Sequence, residues 1–235
     1  MTIISHHLGA VFVKTRKVGG SSVEAAMSTR CGSRDVITPL LGAGEEQIRR
    51  NVGGRGPQHY KRPWHQLRKR HLMRMLKQRR RSTLVRDHEL ATRIRALLGG
   101  EVWDSYFSFT IERNPWDKAV SCYYWTRFVH GERVGDFSSW LRSAPRKHIT
   151  SFDMYSDGDE IIVDRVLRYE RLRDELVTVW TRLGVTPPPE PPRLKSRMRP
   201  ASTKDWRVVY TDDDAAFVAD VCRHEIRIFG YTFDP

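Results

Sequence analysis

Short apolar runs along the chain have the length and composition of buried β-strands. Residues 8–13 (LGAVFV) and 106–111 (YFSFTI) are rich in β-branched and aromatic side chains, and polar residues that favour turns follow each run. A third run, at 161–166, predicts another short strand. Unbroken apolar runs of this kind are typical of strands that are covered on both faces, as in a parallel sheet.

Between and after these runs, apolar residues recur with the spacing of α-helices. The predicted helices begin after residue 22 and then cover residues 45–50, 89–98, 116–129, 171–183 and 213–229. Most of 32–58 is predicted to be loop, and the proline-rich residues 187–192 are predicted to be a stiff, extended linker. Trp103, Trp116 and Trp180 fall within helical patterns and are expected in the core.

Strands that alternate with helices predict the fold class. The expected fold is α/β, with three layers and a central, mainly parallel sheet flanked by helices. The length of 235 residues and the 39% of hydrophobic residues suit a single domain that spans residues 1–235 and has its own core.

The chain is strongly basic, with 41 Lys and Arg against 28 Asp and Glu. Ten of these cations, and no acid, lie within residues 61–81, where apolar residues at helical spacing predict an amphipathic helix. Its basic face is expected either to be solvated or to attract an anionic substrate to an acceptor cleft. A nucleic-acid-binding protein is an alternative, although no helix-turn-helix, zinc-finger or RNP pattern surrounds the segment.

The cysteines and the apolar stretches bear on location. Cys31, Cys122 and Cys222 are odd in number and lack the spacings of zinc sites, so neither a disulfide framework nor a metal site is expected. No apolar stretch reaches the length of a transmembrane helix, and the first residues lack the pattern of a signal peptide. A reducing, cytoplasmic location is therefore expected.

The segment KVGGSS, at residues 17–22, joins the first predicted strand to the first predicted helix. Its glycines allow a ligand to approach the backbone closely, its cation and hydroxyls attract anions, and a helix N-terminus presents free N–H groups. A phosphate-binding loop is therefore predicted. In the P-loop of nucleotide triphosphatases the lysine follows the second glycine, so a kinase-like enzyme that uses ATP and magnesium is only an alternative.

The segment IERNPWDKAVS repeats this arrangement at the second predicted strand. Asn114 and Pro115 suit the start of a helix. Arg113 offers a planar fork of donors to phosphate oxygens, and Ser121, eight residues later, adds a hydroxyl. A third basic segment, RPASTKDWRVVYT, starts at Arg199 and leads into the last predicted helix. Taken singly, each motif is also compatible with an ordinary ion pair or surface loop.

In this order, the three motifs resemble those of the PAPS-dependent sulfotransferases, in particular bacterial members of the carbohydrate-type branch. KVGGSS is similar to the 5′-phosphosulfate loop (PKTGGTS), and RNPWDKAVSCYYW is similar to the 3′-phosphate motif. RPASTKDWRVVYT resembles the segment that closes over the nucleotide (RKGxxGDWKxxFT), but Pro200, Ala201 and Lys204 replace Lys, Gly and Gly. Other similar segments, including FVKTRKVGGSSVE and EIRIFGYTF, extend along nearly the whole chain.

The resemblance implies a function and a set of contacts. Members transfer the sulfuryl group of 3′-phosphoadenosine 5′-phosphosulfate (PAPS) to a hydroxyl, without a metal ion, on a P-loop-like fold of about five mainly parallel strands. Here the acceptor is expected to be a carbohydrate or glycoconjugate, anionic glycans included. The implied cofactor contacts are Arg16, Lys17, Gly19, Gly20, Ser21, Ser22, Arg113, Ser121 and Arg199. Among these, Lys17 would also act in catalysis, by stabilising charge on the leaving nucleotide.

An acceptor hydroxyl requires a general base, and histidine titrates in the suitable range. His88 precedes the segment ATRIRALLG, where members of the group carry a histidine, and is therefore the first candidate. His59 is the second candidate, and Glu24 is an acidic alternative. The remaining histidines are expected at the solvated surface: His6, His7, His65, His71, His130, His148 and His224.

Overall fold

The computed structural model describes residues 2–42, 44–63, 73, 82–192, 194 and 199–233. The strands are β1 (Ile3–Ser5), β2 (Ala10–Phe12), β3 (Val36–Ile37), β4 (Phe107–Glu112), β5 (Ser156–Asp157), β6 (Glu160–Ile161) and β7 (Arg165–Arg168). The α-helices are α1 (Gly20–Ser28), α2 (Glu45–Asn51), α3 (Ala91–Leu98), α4 (Gly100–Ser105), α5 (Pro115–His130), α6 (Phe137–Ser143), α7 (Leu172–Arg182), α8 (Asp212–Val221) and α9 (Arg223–Phe229).

Five strands form the central sheet in the order β3-β1-β2-β4-β7. The β2–β4 and β4–β7 pairs are parallel, whereas β1 is antiparallel to both of its neighbours. Four of the five strands therefore run in one direction, and the predicted mixed α/β fold with a mainly parallel sheet is confirmed. Strands β5 and β6 form a separate antiparallel pair.

Helices cover both faces of this sheet because the side chains of each strand alternate between the faces. Phe12 lies in a buried cluster with residues of β4, α1 and α7, and its ring stacks on Phe109 at a centroid distance of 5.0 Å. Its neighbours Val11 and Val13 lie in another cluster, with residues of α3 and α4. A further cluster joins α5, α6 and α8. The three tryptophans predicted in the core are buried: Trp103, Trp116 and Trp180.

Several predicted boundaries are wrong. Strand β1 was not predicted, because its three residues carry too short a pattern, yet Ile3 and Ile4 are fully buried by pairing with β2 and β3. The strand predicted at 161–166 is in fact β7, where Leu167 pairs with Ile111. The last predicted helix is divided into α8 and α9 at Cys222, whose φ and ψ are −108° and 25°.

The remaining predictions concern the basic segment, the proline-rich segment, membrane-spanning helices and the cysteines. The amphipathic helix predicted at 61–81 lies largely outside the described residues, so its two functional interpretations stay predictions. Residues 187–192 have neither helix nor strand, and their role as a stiff, extended linker stays a prediction. No helix in the described part of the chain is long and apolar enough to cross a lipid bilayer. All three cysteines are buried free thiols.

Candidate functional site

Three connections leave the central sheet at one edge, where the parallel strands β2, β4 and β7 end. They begin at residues 13, 113 and 169, and the first two contain the predicted phosphate motifs. In α/β sheets, ligands bind in the crevice at the carboxyl ends of such strands. This edge is therefore the candidate site.

The connection after β2 has the backbone shape of an anion-binding loop. Lys17 has a φ of 59°, in the left-handed region that a non-glycine residue seldom adopts. Gly19 has a φ of 72° and caps α1. A Cβ added at Gly20 would lie 2.7 Å from Cγ of Lys14, so only glycine fits this position. The first turn of α1 thus starts directly after the loop, and the N–H groups of such a turn bind anions.

Arg113 links the ends of the three parallel strands. Its Nη1 donates to the carbonyl oxygen of Lys17 at 2.9 Å, which ties the β4 motif to the β2 loop. Its guanidinium carbon lies 4.3 Å from the ring centre of Tyr169, the residue after β7. A stacked and hydrogen-bonded guanidinium of this kind has a fixed plane.

Asp117 joins Arg113 to the third motif. One carboxylate oxygen accepts from Nε of Arg113 at 2.7 Å and lies 2.6 Å from its Nη2. The other accepts from Nη1 of Arg199 at 2.5 Å. Arg199 also donates to the hydroxyl and the carbonyl oxygen of Thr203. The structure thus brings together two arginines that are 86 positions apart in the sequence.

The three predicted serines differ in their surroundings. Ser21 is buried in the first turn of α1, and its hydroxyl accepts from Nζ of Lys14 at 3.0 Å. Ser22 is half-buried in the same turn.

Ser121 is half-buried on α5, next to Cys122. Burial raises the pKa of Cys122 to about 11, and the charges of Lys17 and Arg16 oppose this rise, so this turn of α5 faces the loop.

Arg16 and Lys17 have different contacts. Nζ of Lys17 lies 5.9 Å from the ring centre of Trp125 on α5. Nη1 of Arg16 lies 3.5 Å from the carbonyl oxygen of Lys147 and 3.7 Å from Sδ of Met154. Burial lowers the pKa of Arg16. The guanidinium of Arg16 therefore has its contacts in the 146–154 segment, and the structure does not join it to the Arg113–Asp117–Arg199 cluster.

His88 has the hydrogen bonding expected of a neutral base. Its Nδ1 lies 3.0 Å from the carbonyl oxygen of Lys14, and a carbonyl only accepts, so Nδ1 carries the proton and Nε2 has the lone pair. Burial lowers the pKa of His88 well below the ordinary histidine value, and the charges of Lys14 and Arg16 lower it further. Asp87 Oδ2, 3.6 Å from Nε2, is placed to attract the protonated ring.

The two alternative bases lie elsewhere. His59 is exposed beside β3, with its Nε2 2.9 Å from the carbonyl oxygen of Ser33, and strand β1 separates β3 from β2. Glu24 is fully buried, and its Oε2 accepts from Nζ of Lys14 at 3.1 Å. Glu24 thus contacts the ammonium of Lys14, whereas His88 contacts its carbonyl oxygen.

The other histidines were predicted at the surface, and this prediction is correct only in part. His6, His7 and His130 are exposed. His148 and His224 are half-buried. His148 lies near Arg16, and the ring of His224 stacks on Phe152 at 4.8 Å. His65 and His71 lie outside the described residues.

Sequence reasoning missed three residues of this site: Asp117, Tyr169 and Lys14. Asp117 follows Arg113 by four positions at the start of a predicted helix, which is the spacing of an ion pair on one helix face. Tyr169 escaped because β7 was predicted too early. Lys14 is a charged residue directly after the apolar run at 8–13, and this position could have marked it as a candidate from the sequence.

The titration of His88 gives a test of its environment. Since the folded state keeps the ring neutral and the unfolded chain protonates it near about pH 6.5, acid favours unfolding. Below that pH, wild-type stability should fall relative to His88→Asn by about 1.4 kcal/mol per pH unit, and above it the difference should be constant. Urea unfolding between about pH 5 and 8 measures this difference, and a constant value across the range would contradict the assignment.

Comparison with known proteins relates this chain to an archaeal protein. No protein-family profile matches the sequence, and no solved structure matches it. An uncharacterized protein of Archaeoglobus fulgidus is 30% identical over 120 residues, which cover 95% of that protein and 49% of this chain. Because the match at this identity spans nearly all of the archaeal protein, this chain belongs to the same protein family as the Archaeoglobus fulgidus protein.

Proposed function

We propose that the protein is a sulfotransferase that transfers the sulfuryl group of PAPS to an acceptor hydroxyl, on a three-layer, P-loop-like fold. The observation that carries the proposal is the junction of the phosphate motifs. Arg113 donates to the carbonyl oxygen of Lys17, and Asp117 joins Arg113 to Arg199. Segments that resemble the 5′-phosphosulfate, 3′-phosphate and closing motifs therefore meet at one edge of the sheet.

The arginine cluster retains charge and donors for the 3′-phosphate. Two arginines and one aspartate leave one net positive charge. A guanidinium has five N–H donors, and the contacts of Arg113 with the other described residues engage Nε and one N–H on each Nη. Two N–H groups remain, the number that a bidentate phosphate contact uses. A 3′-phosphate distinguishes PAPS from ATP, so this cluster would select the nucleotide.

The loop and the first turn of α1 would hold the 5′-phosphate. The positive end of the helix and the hydroxyls of Ser21 and Ser22 provide donors. Lys17 lies between this turn and Arg113, since its carbonyl oxygen accepts from Arg113. We assign its ammonium to the bridging oxygen, where negative charge develops as the nucleotide leaves.

The reaction is an in-line displacement at sulfur. The acceptor oxygen forms a bond to sulfur as its proton passes to Nε2 of His88, and the bond from sulfur to the bridging oxygen breaks. 3′-Phosphoadenosine 5′-phosphate leaves with the bonding electrons. Burial holds His88 neutral before the reaction, and Asp87 would stabilise the imidazolium that forms. The ring then returns its proton to water.

The acceptor and the conditions of the reaction complete the proposal. A carbohydrate or glycoconjugate is the proposed acceptor, because the motifs are similar to those of the carbohydrate-type branch. Transferred sulfate carries less charge than a terminal phosphate, so we propose that a divalent ion is not required. The buried free thiols Cys31, Cys122 and Cys222 are consistent with the proposed cytoplasmic location.

Calorimetric titration with 3′-phosphoadenosine 5′-phosphate in EDTA, with AMP and ATP as controls, tests the proposal. Tight binding of the bisphosphate and weak binding of AMP are expected, because only the bisphosphate carries a 3′-phosphate. Equal binding of the three nucleotides, or none, would refute it. ATP binding that requires magnesium would favour a kinase-like enzyme, and binding to generic duplex DNA that weakens steeply with salt would favour nucleic-acid recognition.

Arg113→Ala should weaken binding of 3′-phosphoadenosine 5′-phosphate by about ten- to a hundredfold, the usual effect of losing a charge-assisted hydrogen bond. Calorimetry measures this change. Arg142→Ala is the matched control, because Arg142 also pairs with an aspartate, Asp214, but lies on α6. An unchanged affinity in Arg113→Ala, or an equal loss in the control, would overturn the assignment of the 3′-phosphate site.

A further inference from the structure

Lys14 is a buried cation beneath the phosphate-binding loop. Its side chain is 8% exposed, and its Nζ lies 3.1 Å from Oε2 of Glu24, which is fully buried. Removing both charges from water is costly, and an apolar pair of similar size is often at least as stabilising. Stability of the core alone therefore does not account for this ion pair.

The same ammonium fixes the direction of a hydroxyl in the loop. Nζ of Lys14 lies 3.0 Å from Oγ of Ser21, in the first turn of α1. An ammonium has only donors, so the Ser21 oxygen accepts and its own O–H is left to donate elsewhere. A nearby positive charge also strengthens that O–H as a donor, because bonds in a hydrogen-bonded chain polarise one another.

Lys14 is held in place by its surroundings. Its Cγ and Cε occupy the space that a Cβ at Gly20 would need, at 2.7 and 2.9 Å. Its carboxylate partner Glu24 lies on α1, one turn after Ser21. Its carbonyl oxygen contacts Nδ1 of His88 at 3.0 Å. One residue thus contacts both the start of α1 and the candidate base.

We propose that Lys14 is a positioning residue that directs the Ser21 hydroxyl toward the 5′-phosphate of the nucleotide. This inference rests on the proposed sulfotransferase function. Lys14 would not touch the nucleotide itself, since Ser21 lies between them. Glu24 would balance the charge of Lys14, so the effect on binding would come from the orientation of Ser21 and not from a general positive field.

A double-mutant cycle for affinity tests the coupling between Lys14 and Ser21. Calorimetry would compare wild type, Lys14→Met, Ser21→Ala and the double variant for binding of 3′-phosphoadenosine 5′-phosphate. Each single change should weaken binding by about tenfold, because each abolishes the same charge-assisted hydrogen bond from the Ser21 hydroxyl to the 5′-phosphate. The double variant should bind no more than about threefold more weakly than the single variants, since both changes remove the same contact.

A purely structural role for Lys14 predicts the opposite result. In that case Ser21→Ala would weaken binding by the same factor in the Lys14→Met background as in wild type, and the inference would be overturned. An affinity that either single change leaves intact would overturn it as well. A wild-type protein that does not bind the bisphosphate would refute the proposed function itself, whereas tight wild-type binding with independent variants would refute only the role of Lys14.

Lys14→Met leaves the buried carboxylate of Glu24 without its cation, and such a change is strongly destabilising. The same cycle is therefore repeated with Glu24→Gln present in every protein, so that the proteins with Lys14→Met no longer bury an unpaired carboxylate, while those that keep Lys14 retain its ammonium without the Glu24 carboxylate. Thermal unfolding of each variant shows that the proteins compared are folded. The non-additivity of Lys14→Met and Ser21→Ala in the Glu24→Gln background is expected to match that of the first cycle, and independent effects there would equally contradict the inference.

Discussion

His88→Asn is expected to lower the turnover number by about 10²- to 10⁴-fold, the usual contribution of general base catalysis. Affinity for 3′-phosphoadenosine 5′-phosphate should stay within about twofold, because His88 is assigned to the acceptor side and not to the nucleotide. The change preserves the local structure. His88 has a φ of 53°, which asparagine tolerates well, and an asparagine amide can also donate to the Lys14 carbonyl.

The assay follows the transfer of labelled sulfate from PAPS to an acceptor that the wild-type protein sulfates, chosen from a panel of sugars and glycans. His59→Asn is a matched control. His59 also has a φ of 53°, and its ring also contacts a backbone carbonyl, that of Ser33, but it lies beside β3. Near-normal turnover in His88→Asn together with a large loss in His59→Asn would move the base to His59.

The contrast between these two histidines shows where the sequence stops being informative. Both sit in loops, and the sequence ranks His88 first only through its place before the segment ATRIRALLG. Tertiary contacts do: His88 contacts the carbonyl of Lys14 at 3.0 Å, whereas His59 contacts Ser33. A contact across 74 positions depends on how the strands are ordered in the sheet, which periodicity does not give.

The strand–turn–helix structure of the KVGGSS and IERNPWDKAVS segments could be predicted because that pattern is local. Asn114 caps α5, as expected from its residue type, and its side chain accepts from the N–H of Trp116 and Asp117. The junction of the motifs at Asp117 could not be predicted, because it joins α5 to Arg199 across 82 positions. Strand β1 was missed for a related reason. Its three residues form a strand only because they pair with β2 and β3, and that pairing cannot be read from the local sequence.

Backbone strain supports the same site. Within the described residues, positive φ angles outside glycine occur at Lys17, His59 and His88. Such angles cost free energy in most side chains and persist where the surrounding structure enforces them, often at functional sites. Two of these residues, Lys17 and His88, are the groups to which we assign charge stabilisation and proton transfer. Because the backbone is strained at Lys17, a substitution that tolerates this φ can lower activity without lowering the free energy of unfolding by much.

Lys17→Asn should lower turnover by about 10²- to 10³-fold, the usual cost of losing a group that stabilises charge in the transition state. The free energy of unfolding should fall by less than about 1 kcal/mol, because asparagine accepts the φ of 59° better than lysine and offsets the lost contact with Trp125. Affinity for the bisphosphate should also fall, by about tenfold, because the former bridging oxygen keeps its negative charge in the 5′-phosphate of the product and loses one charge-assisted contact. Turnover, urea unfolding and calorimetry measure the three quantities.

Lys147→Asn is the control for Lys17→Asn. It removes an exposed cation from the segment that contacts Arg16, so it lowers the positive field near the site without changing the loop. An equal loss of turnover in both variants would mean that the general field, and not the position of Lys17, assists departure of the nucleotide. A large loss of stability in Lys17→Asn would assign Lys17 to the fold. A loss of turnover confined to Lys17→Asn, with stability retained, is the result that a leaving-group role requires, because only a group at the bridging oxygen stabilises the charge that develops there.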